Sequence, residues 1–344
     1  MSRGAIQVLL VADTHLGFDL PFRPRIDRRR RGRDFFANFE RALAPALKGE
    51  VDLVVHGGDL FYRSRVPAAL VDMALAPLVR VAQAGTPVYL VPGNHERSSI
   101  PLHLWTAHPN LHIFDRPRTF LYRGPRGSLA LSGFPFARAV RDSFRSLVDQ
   151  TGYRGEPALP RLLCLHQTIE GAQVGVGDYT FRRGSDVVPG QDIPPDFCAV
   201  LSGHIHRAQI LTHDLRGRPF AAPVFYPGSV ERTSFAEREE EKGYYRLAID
   251  PAVGSGGALV DTRFVPLPAR PMICLTIDTQ ERSGEGLREH LRQRLAALDP
   301  DAVVRVELRG PGAEAAFQTL SAARLREMAP PSMNVDLAPL RGHR

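Results

Sequence analysis

Leu201-Ser-Gly-His-Ile-His-Arg207 is the stretch of sequence that best indicates the fold. The apolar run at 197–201 is typical of a short buried strand that ends where polar residues begin. Beyond the strand end, His204 and His206 can converge on one point, and two histidines behind a glycine suit a metal site better than a core. Because open α/β sheets bind ligands at the carboxyl ends of their strands, we predict such a sheet with a metal site at that edge.

Four earlier apolar runs end in the same way. The runs cover residues 6–12, 53–55, 88–91 and 162–165. The polar residues that follow them are Asp13, His15, Asp59, Asn94, His95 and His166. A single buried histidine is more often structural, but a whole set at the ends of successive strands indicates a shared site. Helical stripes between the first three runs, at 34–48 and 68–84, predict a layered α/β sheet.

The rest of the chain predicts a second sheet and a small separate domain. Strands of the second sheet are expected at 209–211, 224–226, 243–249 and 262–265. Leu267-Pro-Ala-Arg-Pro271 is typical of a linker, strand and helix patterns alternate after it, and a polar helix is expected near 314–328. We therefore predict a main domain at 1–268, a small α/β domain at 271–336 and a tail at 337–344.

Charge is concentrated in one segment of a chain whose 344 residues carry a formal charge of +7. Residues 21–33 hold seven arginines and one aspartate, a local charge of 7 − 1 = +6. A cluster of this kind is either a solvated loop or an electrostatic contact for phosphate, and both interpretations stay open on composition alone.

Cysteine usage and hydropathy limit the compartment. Cys164, Cys198 and Cys274 each lie in an apolar run without CxxC spacing, which predicts buried thiols rather than a disulfide framework or a zinc ribbon. We find no pattern of a signal peptide and no run of the roughly 18 apolar residues that a membrane span needs. The expected location is the cytoplasm.

The candidate ligands favour a particular metal chemistry. Oxygen and imidazole ligands without thiolate suit Mn²⁺, Fe²⁺ or Zn²⁺. Two such ions about 3.5–4 Å apart can clamp the oxygens of a phosphate during in-line displacement. A carboxylate between two motifs can bridge both ions. His56, His103, His108, His112 and His213 lack partners at ligand spacing and are expected to be structural.

The motifs together resemble the calcineurin-like metallophosphoesterase superfamily. Those that carry the resemblance are Asp13-x-His15, Gly58-Asp59, Gly93-Asn94-His95, His166 and Gly203-His204-x-His206. Within the superfamily, Gly58-Asp-Leu-Phe61 and Tyr226-Pro-Gly-Ser-Val-Glu-Arg-Thr-Ser-Phe235 resemble the Mre11/SbcD-like DNA-repair exonuclease branch. The similarity covers about residues 5–250. The segment from 271 is similar to the family's DNA-capping domain in position only.

The resemblance implies a fold and a set of roles. The implied fold is α/β with four layers, in which two packed mixed β-sheets are flanked by helices, with a small C-terminal α/β capping unit. The implied ligands of one metal are Asp13, His15, Asp59 and His206, and those of the other are Asp59, Asn94, His166 and His204. His95 would orient the phosphate and protonate the leaving oxygen. Arg28, Arg29, Arg30, Arg31 and Arg232 are candidate DNA contacts. Glu96 departs from the aspartate that often follows Asn-His in the family.

The implied function is a metal-dependent DNA nuclease that uses two divalent ions, with Mn²⁺ favoured over Fe²⁺ or Zn²⁺. It would be an exonuclease, with single-strand endonuclease activity as an extension. The alternatives are a small-substrate phosphatase or cyclic-nucleotide phosphodiesterase of the same superfamily, and a non-catalytic DNA-binding scaffold subunit. The implied partners are DNA, a Rad50/SbcC-like ATPase and a second copy of the chain, with no membrane. The chain shows no long C-terminal helix pair of the kind that the family uses to bind its ATPase.

Overall fold

A computed structural model describes residues 4–21, 24, 28–96, 108–155, 159–280 and 284–340. The chain divides into two compact units. The first comprises Met1–Phe18, Gly32–Arg232 and Glu240–Pro268, and the second comprises Asp19–Arg31, Thr233–Glu239 and Ala269–Arg344. Three residues considered above lie outside the described residues. They are Arg23 and Arg25 of the charged segment 21–33, and His103. None of the described helices is both long enough and apolar enough to cross a membrane.

The first unit contains most of the strands. Its elements up to Gly133 are β1 (Ile6–Val11), α1 (Gly32–Leu47), β2 (Leu53–His56), α2 (Ala68–Gln83), β3 (Val88–Leu90), β4 (Leu111–Ile113), β5 (Arg118–Gly124) and β6 (Gly127–Gly133). They are followed by α3 (Val140–Gln150), β7 (Arg161–Leu165), β8 (Thr168–Ile169), β9 (Gln173–Val174), β10 (Tyr179–Thr180), β11 (Val187–Val188), β12 (Ala199–Ser202), β13 (Gln209–His213), β14 (Pro219–Tyr226), β15 (Gly243–Ile249) and β16 (Leu259–Pro266).

Two six-stranded mixed sheets form the centre of this unit. Their orders are β16-β15-β1-β2-β3-β4 and β13-β14-β12-β7-β6-β5. Strands β1 to β4 run parallel in the first sheet, and β6, β7, β12 and β14 run parallel in the second. Two small pairs, β9 with β10 and β8 with β11, lie outside these sheets.

Alternating side chains of the strands build two sides of each sheet. In β1, Ile6, Val8 and Leu10 belong to the core between the two sheets, whereas Leu9 and Val11 belong to the core that the first sheet shares with α1 and α2. A third core joins the opposite face of the second sheet to α3. The result is the predicted four-layer arrangement of helices, sheet, sheet and helix. The strands β1, β2, β3, β7 and β12 are buried along their whole length, which explains why their sequences are mostly apolar.

One part of the predicted topology is wrong. The sequence placed 243–249 and 262–265 in the second sheet, but β15 pairs antiparallel with β1 and β16 pairs with β15, so both extend the first sheet. The strands themselves are where the sequence predicts them. The error concerns their partner, which is set by contacts across more than 230 residues, from Ile6 to Ile249.

The second unit has a three-stranded parallel sheet of its own. Its elements are β17 (Met272–Asp278), α4 (Gly284–Ala296), β18 (Val303–Arg309), α5 (Ala313–Thr319), α6 (Ala322–Met328) and β19 (Asn334–Leu337), and the strand order is β17-β18-β19. Leu287, Leu291 and Leu295, spaced at four residues, place one face of α4 in the core of this unit. The helix expected at 314–328 is divided into two, and Leu337, which the sequence placed in the tail, ends β19.

Candidate metal centre

The strand ends of both sheets supply the polar residues of the site. Loops after β1, β2 and β3 carry Asp13, His15, Asp59, Asn94 and His95, and loops after β7 and β12 carry His166, His204 and His206. All eight belong to the first unit. Four of them, Asp13, His15, Asp59 and His166, are buried, whereas Asn94, His95, His204 and His206 are partly exposed. The structure therefore brings together every residue that the sequence predicted for the site.

Several of these residues adopt unusual backbone conformations. The φ angles of Asp13, His15, Asp59 and His204 are 49°, 43°, 52° and 84°. Non-glycine residues rarely occupy this left-handed region, and such strain concentrates at functional sites. Gly93 shows how tightly the loops approach, because a Cβ at this position would lie 2.2 Å from Oδ1 of Asp59.

One group of side chains surrounds His15. Its Nε2 atom lies 2.8 Å from Nε2 of His206. Asp13, His15 and His206 each offer a ligand atom within 4.8 Å of the others. The backbone N–H of His204 donates to both carboxylate oxygens of Asp13, at 3.0 and 3.1 Å, which fixes that carboxylate. These three side chains can hold one cation.

A second group surrounds Asn94. Its Oδ1 atom lies 3.1 Å from Nε2 of His166 and 2.9 Å from Nδ1 of His204. Nε2 of His166 also lies 3.4 Å from Oδ1 of Asp59. Asp59 contributes a ligand atom to a cluster with Asp13 and His166 and to another with His15 and His95. Its carboxylate thus stands between the two groups, as a bridging ligand must.

Hydrogen bonds to the main chain fix which ring nitrogen faces the site. Nδ1 of His166 lies 2.7 Å from the carbonyl oxygen of Gly57, and Nδ1 of His95 lies 2.6 Å from that of Tyr62. Each Nδ1–H therefore donates to a carbonyl and leaves Nε2 for the site, as in metal-binding histidines whose other nitrogen is held. Nε2 of the half-buried His95 lies 3.7 Å from Oδ2 of Asp59.

Burial and close charges shift the pKa values of the site in opposite directions. Burial raises the pKa of Asp13 to about 6 and lowers that of His204 to about 3. Burial also acts to lower the pKa of His166, but the carboxylates of Asp59 and Asp13 outweigh it and raise the value to about 9. Burial acts to raise the pKa of Asp59, yet the charge of His166 holds it below its usual range.

The donor set fits divalent cations. Two buried carboxylates, one amide oxygen and four imidazoles converge without a thiolate, the combination that suits Mn²⁺, Fe²⁺ or Zn²⁺. Carboxylates buried this deeply are rare unless they are paired or hold a cation. This cluster of loops in the first unit is therefore a candidate two-metal centre. How the ligands divide between the two ions stays a prediction.

Glu96 has a role that the sequence did not reveal. Its buried carboxylate accepts hydrogen bonds from the backbone N–H groups of Asp59 (2.9 Å), Phe61 (2.9 Å) and Gly93 (2.8 Å). Burial and the charge of Asp59 raise its pKa to about 8. The side chain ties the loop after β2 to the loop after β3, and the departure from aspartate is therefore compatible with an ordered site.

The arginines predicted to contact DNA have acceptors within the protein. Arg28 and Arg30 pair with Asp19, at 3.6 and 3.2 Å, and Arg29 pairs with Asp301 at 2.7 Å. Arg31 is buried, and its backbone N–H donates to Asp19. In the first unit, Arg232 donates from Nε and Nη2 to the carbonyl of Glu240, at 3.1 and 2.9 Å. Their contact with DNA stays a prediction.

A hairpin beside the site was not predicted. Strands β9 and β10 are not among the strands that the sequence predicts. Its Asp178 pairs with Arg207, the residue after His206, and the side chain of Gln209 donates to the carbonyl of Gln173 at 2.9 Å. Tyr179 in this hairpin is 64% exposed. The only sequence signal was the pair of aromatic residues around 180, in a stretch otherwise rich in glycine and charge.

Comparisons with known proteins support the resemblance. The sequence pattern of a family described as calcineurin-like phosphoesterase matches residues 6–208. A protein named DNA double-strand break repair protein Mre11 from Haloferax volcanii is 33% identical over 316 residues, which cover 89% of this chain and 62% of that protein. Proteins of the same name from Archaeoglobus fulgidus and Methanosarcina mazei are 26% and 27% identical, covering 87% and 89% of this chain and 67% and 45% of theirs.

The chain thus spans less than two thirds of the Haloferax and Methanosarcina proteins. Among solved structures, it is similar to a dimetal phosphatase from Danio rerio. That similarity has a TM-score of 0.45 and 11% identity, and it covers 72% of this chain and 93% of the other.

Proposed function

The chain belongs to the calcineurin-like phosphoesterase family and resembles its Mre11-like branch, and on this basis we propose that it hydrolyses phosphodiester bonds of DNA with two divalent metal ions. The observation that carries the proposal is the convergence of the ligand residues on Asp59 at one edge of the first unit. The preference for DNA is supported by relatives named DNA double-strand break repair protein.

In this proposal, seven residues of the site would bind the two ions and His95 would act on the substrate. The ligands of one ion would be Asp13, His15, Asp59 and His206, and those of the other would be Asp59, Asn94, His166 and His204. Two bound cations supply positive charge that stabilises the phosphate oxygens as the bond breaks. His95 would orient the phosphate and donate a proton from Nε2 to the leaving oxygen, because its Nδ1 is already held by the carbonyl of Tyr62.

The surface beside the site suits a long substrate better than a small one. The hairpin of β9 and β10 is linked to the loop that carries His206 and exposes Tyr179. Arg182 and Arg183 follow it and are also exposed. An aromatic ring with neighbouring guanidinium groups is suited to bases and phosphates of a single strand. We propose this hairpin and Arg232 as a DNA contact of the first unit, and Arg28 to Arg31 as a separate DNA contact of the second.

A nuclease assay tests the proposal directly. End-labelled duplex and single-stranded DNA would be incubated with the chain and Mn²⁺, beside p-nitrophenyl phosphate and bis-p-nitrophenyl phosphate. We expect cleavage of DNA and slow hydrolysis of the diester. Rapid hydrolysis of the monoester without cleavage of DNA would favour a small-substrate phosphatase. Binding of DNA without hydrolysis of any substrate would favour a scaffold subunit.

The remaining properties follow from the same resemblance. We propose Mn²⁺ as the ion, with Fe²⁺ and Zn²⁺ as alternatives that the same ligands accept. Exonuclease action with single-strand endonuclease activity, a Rad50/SbcC-like ATPase partner, a homodimer and a cytoplasmic location belong to this proposal too. Comparing cleavage with Mn²⁺, Fe²⁺ and Zn²⁺ in anaerobic buffer would identify the ion that supports activity.

A further inference from the structure

The main-chain carbonyl of His206 is held by two donors. The backbone N–H of Ser229 donates to it at 3.0 Å, and Nζ of Lys242 donates to it at 2.8 Å. The segment with Ser229 approaches closely, since a Cβ on Gly228 would lie 2.6 Å from the same oxygen. The main chain of this candidate ligand is therefore fixed from the first unit's own interior.

Lys242 is a buried cation that pairs with a carboxylate as well as with this carbonyl. Its side chain is 0% exposed, and Nζ also pairs with Oε2 of Glu240 at 2.9 Å. Glu240 is held in turn by Arg232, which donates to its carbonyl. A buried ammonium needs such partners, because an unpaired buried charge is strongly unfavourable. Arg232, Glu240 and Lys242 thus form a chain of contacts that ends at His206.

The composition of the chain makes this lysine unusual. Lysines and arginines together number 44, and only Lys48 and Lys242 are lysines. Lys48 is exposed, whereas Lys242 is buried. An ammonium is a compact donor on a flexible stem, and a guanidinium is a wide planar fork with five N–H groups. A buried position beside a carbonyl and a carboxylate suits the ammonium.

We propose that Lys242 is a positioning residue for the metal centre, which holds the imidazole of His206 beside that of His15 through its hydrogen bond to the His206 carbonyl. The inference rests on the proposed two-metal site. Groups that orient metal ligands typically change metal affinity about 10–100-fold when they are removed. Loss of the ammonium removes one of the two donors described above from the carbonyl and keeps the N–H of Ser229, so the His206 loop gains freedom.

A purely electrostatic role for Lys242 predicts the opposite sign. An ammonium near a cation repels it, and removing the charge would then tighten metal binding. Positioning predicts weaker binding at the ion that His206 contacts and little change at the other. The direction of the change in affinity therefore distinguishes the two roles without any measurement of hydrolysis.

The experiment is a Mn²⁺ titration of the metal-stripped full chain. Binding is measured by calorimetry and by electron paramagnetic resonance of free Mn²⁺. We expect two ions on the parent. In Lys242→Met, one affinity should fall about 10–100-fold and the other should stay close to the parent value. The double variant Glu240→Gln/Lys242→Met should show the same split. It removes both charges of the ion pair, which is often neutral for stability, and so guards against misfolding of the single variant.

Two further variants serve as controls. Lys48→Met removes the exposed lysine, and Glu240→Gln keeps the ammonium on the His206 carbonyl, so both should bind two ions as the parent does. Unchanged or tighter binding in both Lys242 variants would overturn the proposal. Equal loss in Glu240→Gln would also overturn it, because the effect would then belong to the ion pair. A parent that binds no Mn²⁺ would instead contradict the two-metal function on which the inference rests.

Discussion

Glu96 and His56 are buried side chains that hold loops of the candidate metal centre in place although neither is a predicted ligand. Glu96 ties together the loops after β2 and β3 through three backbone N–H groups. Nδ1 of His56 accepts from the N–H of Gly58 at 3.2 Å, and its Nε2–H donates to Oγ1 of Thr14 at 3.2 Å. His56 therefore joins the loops after β1 and β2. The sequence predicted it as structural, but not which loops it holds.

His95 gives the sharpest test of the proposed chemistry at this scale. His95→Asn keeps a side-chain N–H near the position of Nδ1, so the contact with the Tyr62 carbonyl can persist while the proton donor at Nε2 is lost. Since general acid catalysis is worth about 10²–10⁴-fold, cleavage should fall by that factor. The measurement is single-turnover cleavage of DNA in Mn²⁺, with Mn²⁺ stoichiometry determined on the same samples.

The expected stoichiometry for His95→Asn is that of the parent, because the residue is assigned to the leaving group and not to coordination. His213→Asn, at an exposed histidine in β13, is the control and should retain full activity. Loss of one ion in the His95 variant would place the residue among the ligands and contradict its assigned role.

The buried His56 predicts a pH dependence of stability. Burial lowers its pKa to about 3, and its Nδ1 accepts a hydrogen bond that a protonated ring could not accept. Between about pH 6.5 and 3 the unfolded chain therefore binds a proton that the folded chain excludes, so the free energy of unfolding decreases as pH falls. This part of the decrease approaches about 1.4 kcal/mol per pH unit well below pH 6.5.

His56→Gln should remove that part of the slope. Urea unfolding of metal-free parent and variant between pH 7 and 5 measures it, because other titrating groups are common to both. His213→Gln, where the histidine is exposed, should retain the parent slope. Parallel curves for parent and His56→Gln would mean that His56 is protonated in the folded chain.

At the scale of the elements, strand positions were predictable and strand partners were less so. Each apolar run that ends in a ligand proved to be a strand with its ligand at the carboxyl end, since burial on both faces leaves an unmistakable pattern. β15 and β16 also lie where the sequence predicts strands, yet the pairing of β15 with β1 is decided by residues far away in the chain. The helix expected at 314–328 is interrupted where the side chain of Ser321 caps α6 by accepting from the N–H of Arg324.

We expect the segment Arg28 to Arg31 to contribute to DNA binding through its positive charge. Arg28, Arg29 and Arg30 pair with Asp19 and Asp301, and the four arginines together with these two aspartates carry a net charge of 4 − 2 = +2. Replacing all four with serine should weaken duplex binding and reduce the slope of log K against log salt by about 0.9 for each of roughly two phosphates. Fluorescence anisotropy in chelator, which prevents cleavage, measures the slope across a range of salt concentrations.

Arg126→Ser/Arg154→Ser is the control for that experiment. These exposed arginines pair with Asp52, which directly precedes β2, and with Asp149 in α3, and neither pair includes a residue of the candidate metal centre. The control should keep the parent slope. An unchanged slope in the quadruple variant would show that its arginines serve the contacts with Asp19 and Asp301 only.

At the scale of the whole molecule, two units of different construction share one chain. The first has its ligands on loops from two sheets, and the second has a parallel sheet that carries none of the predicted metal ligands. The sequence predicted both sheets of the first unit and the small α/β unit. It did not predict that Asp19–Arg31 and Thr233–Glu239 group with the C-terminal residues, because such contacts leave no local pattern.

Metal binding should stabilise the first unit and leave the second unit unchanged. A ligand that binds only the folded state stabilises it, by about 2.7 kcal/mol at a hundred times its dissociation constant. The buried carboxylates of Asp13 and Asp59 repel each other until cations offset their charge, so Mn²⁺ should slow hydrogen exchange in β1, β2, β3, β7 and β12.

Asp59→Asn should abolish most of this protection, because the residue stands between both groups of ligands. Asp52→Asn, which replaces an aspartate at the opposite end of β2, should preserve it. In the second unit, β17, β18 and β19 should exchange at the same rate with and without Mn²⁺. Protection that survives in Asp59→Asn would contradict the bridging role of Asp59, since loss of a bridging ligand must weaken the binding of both ions.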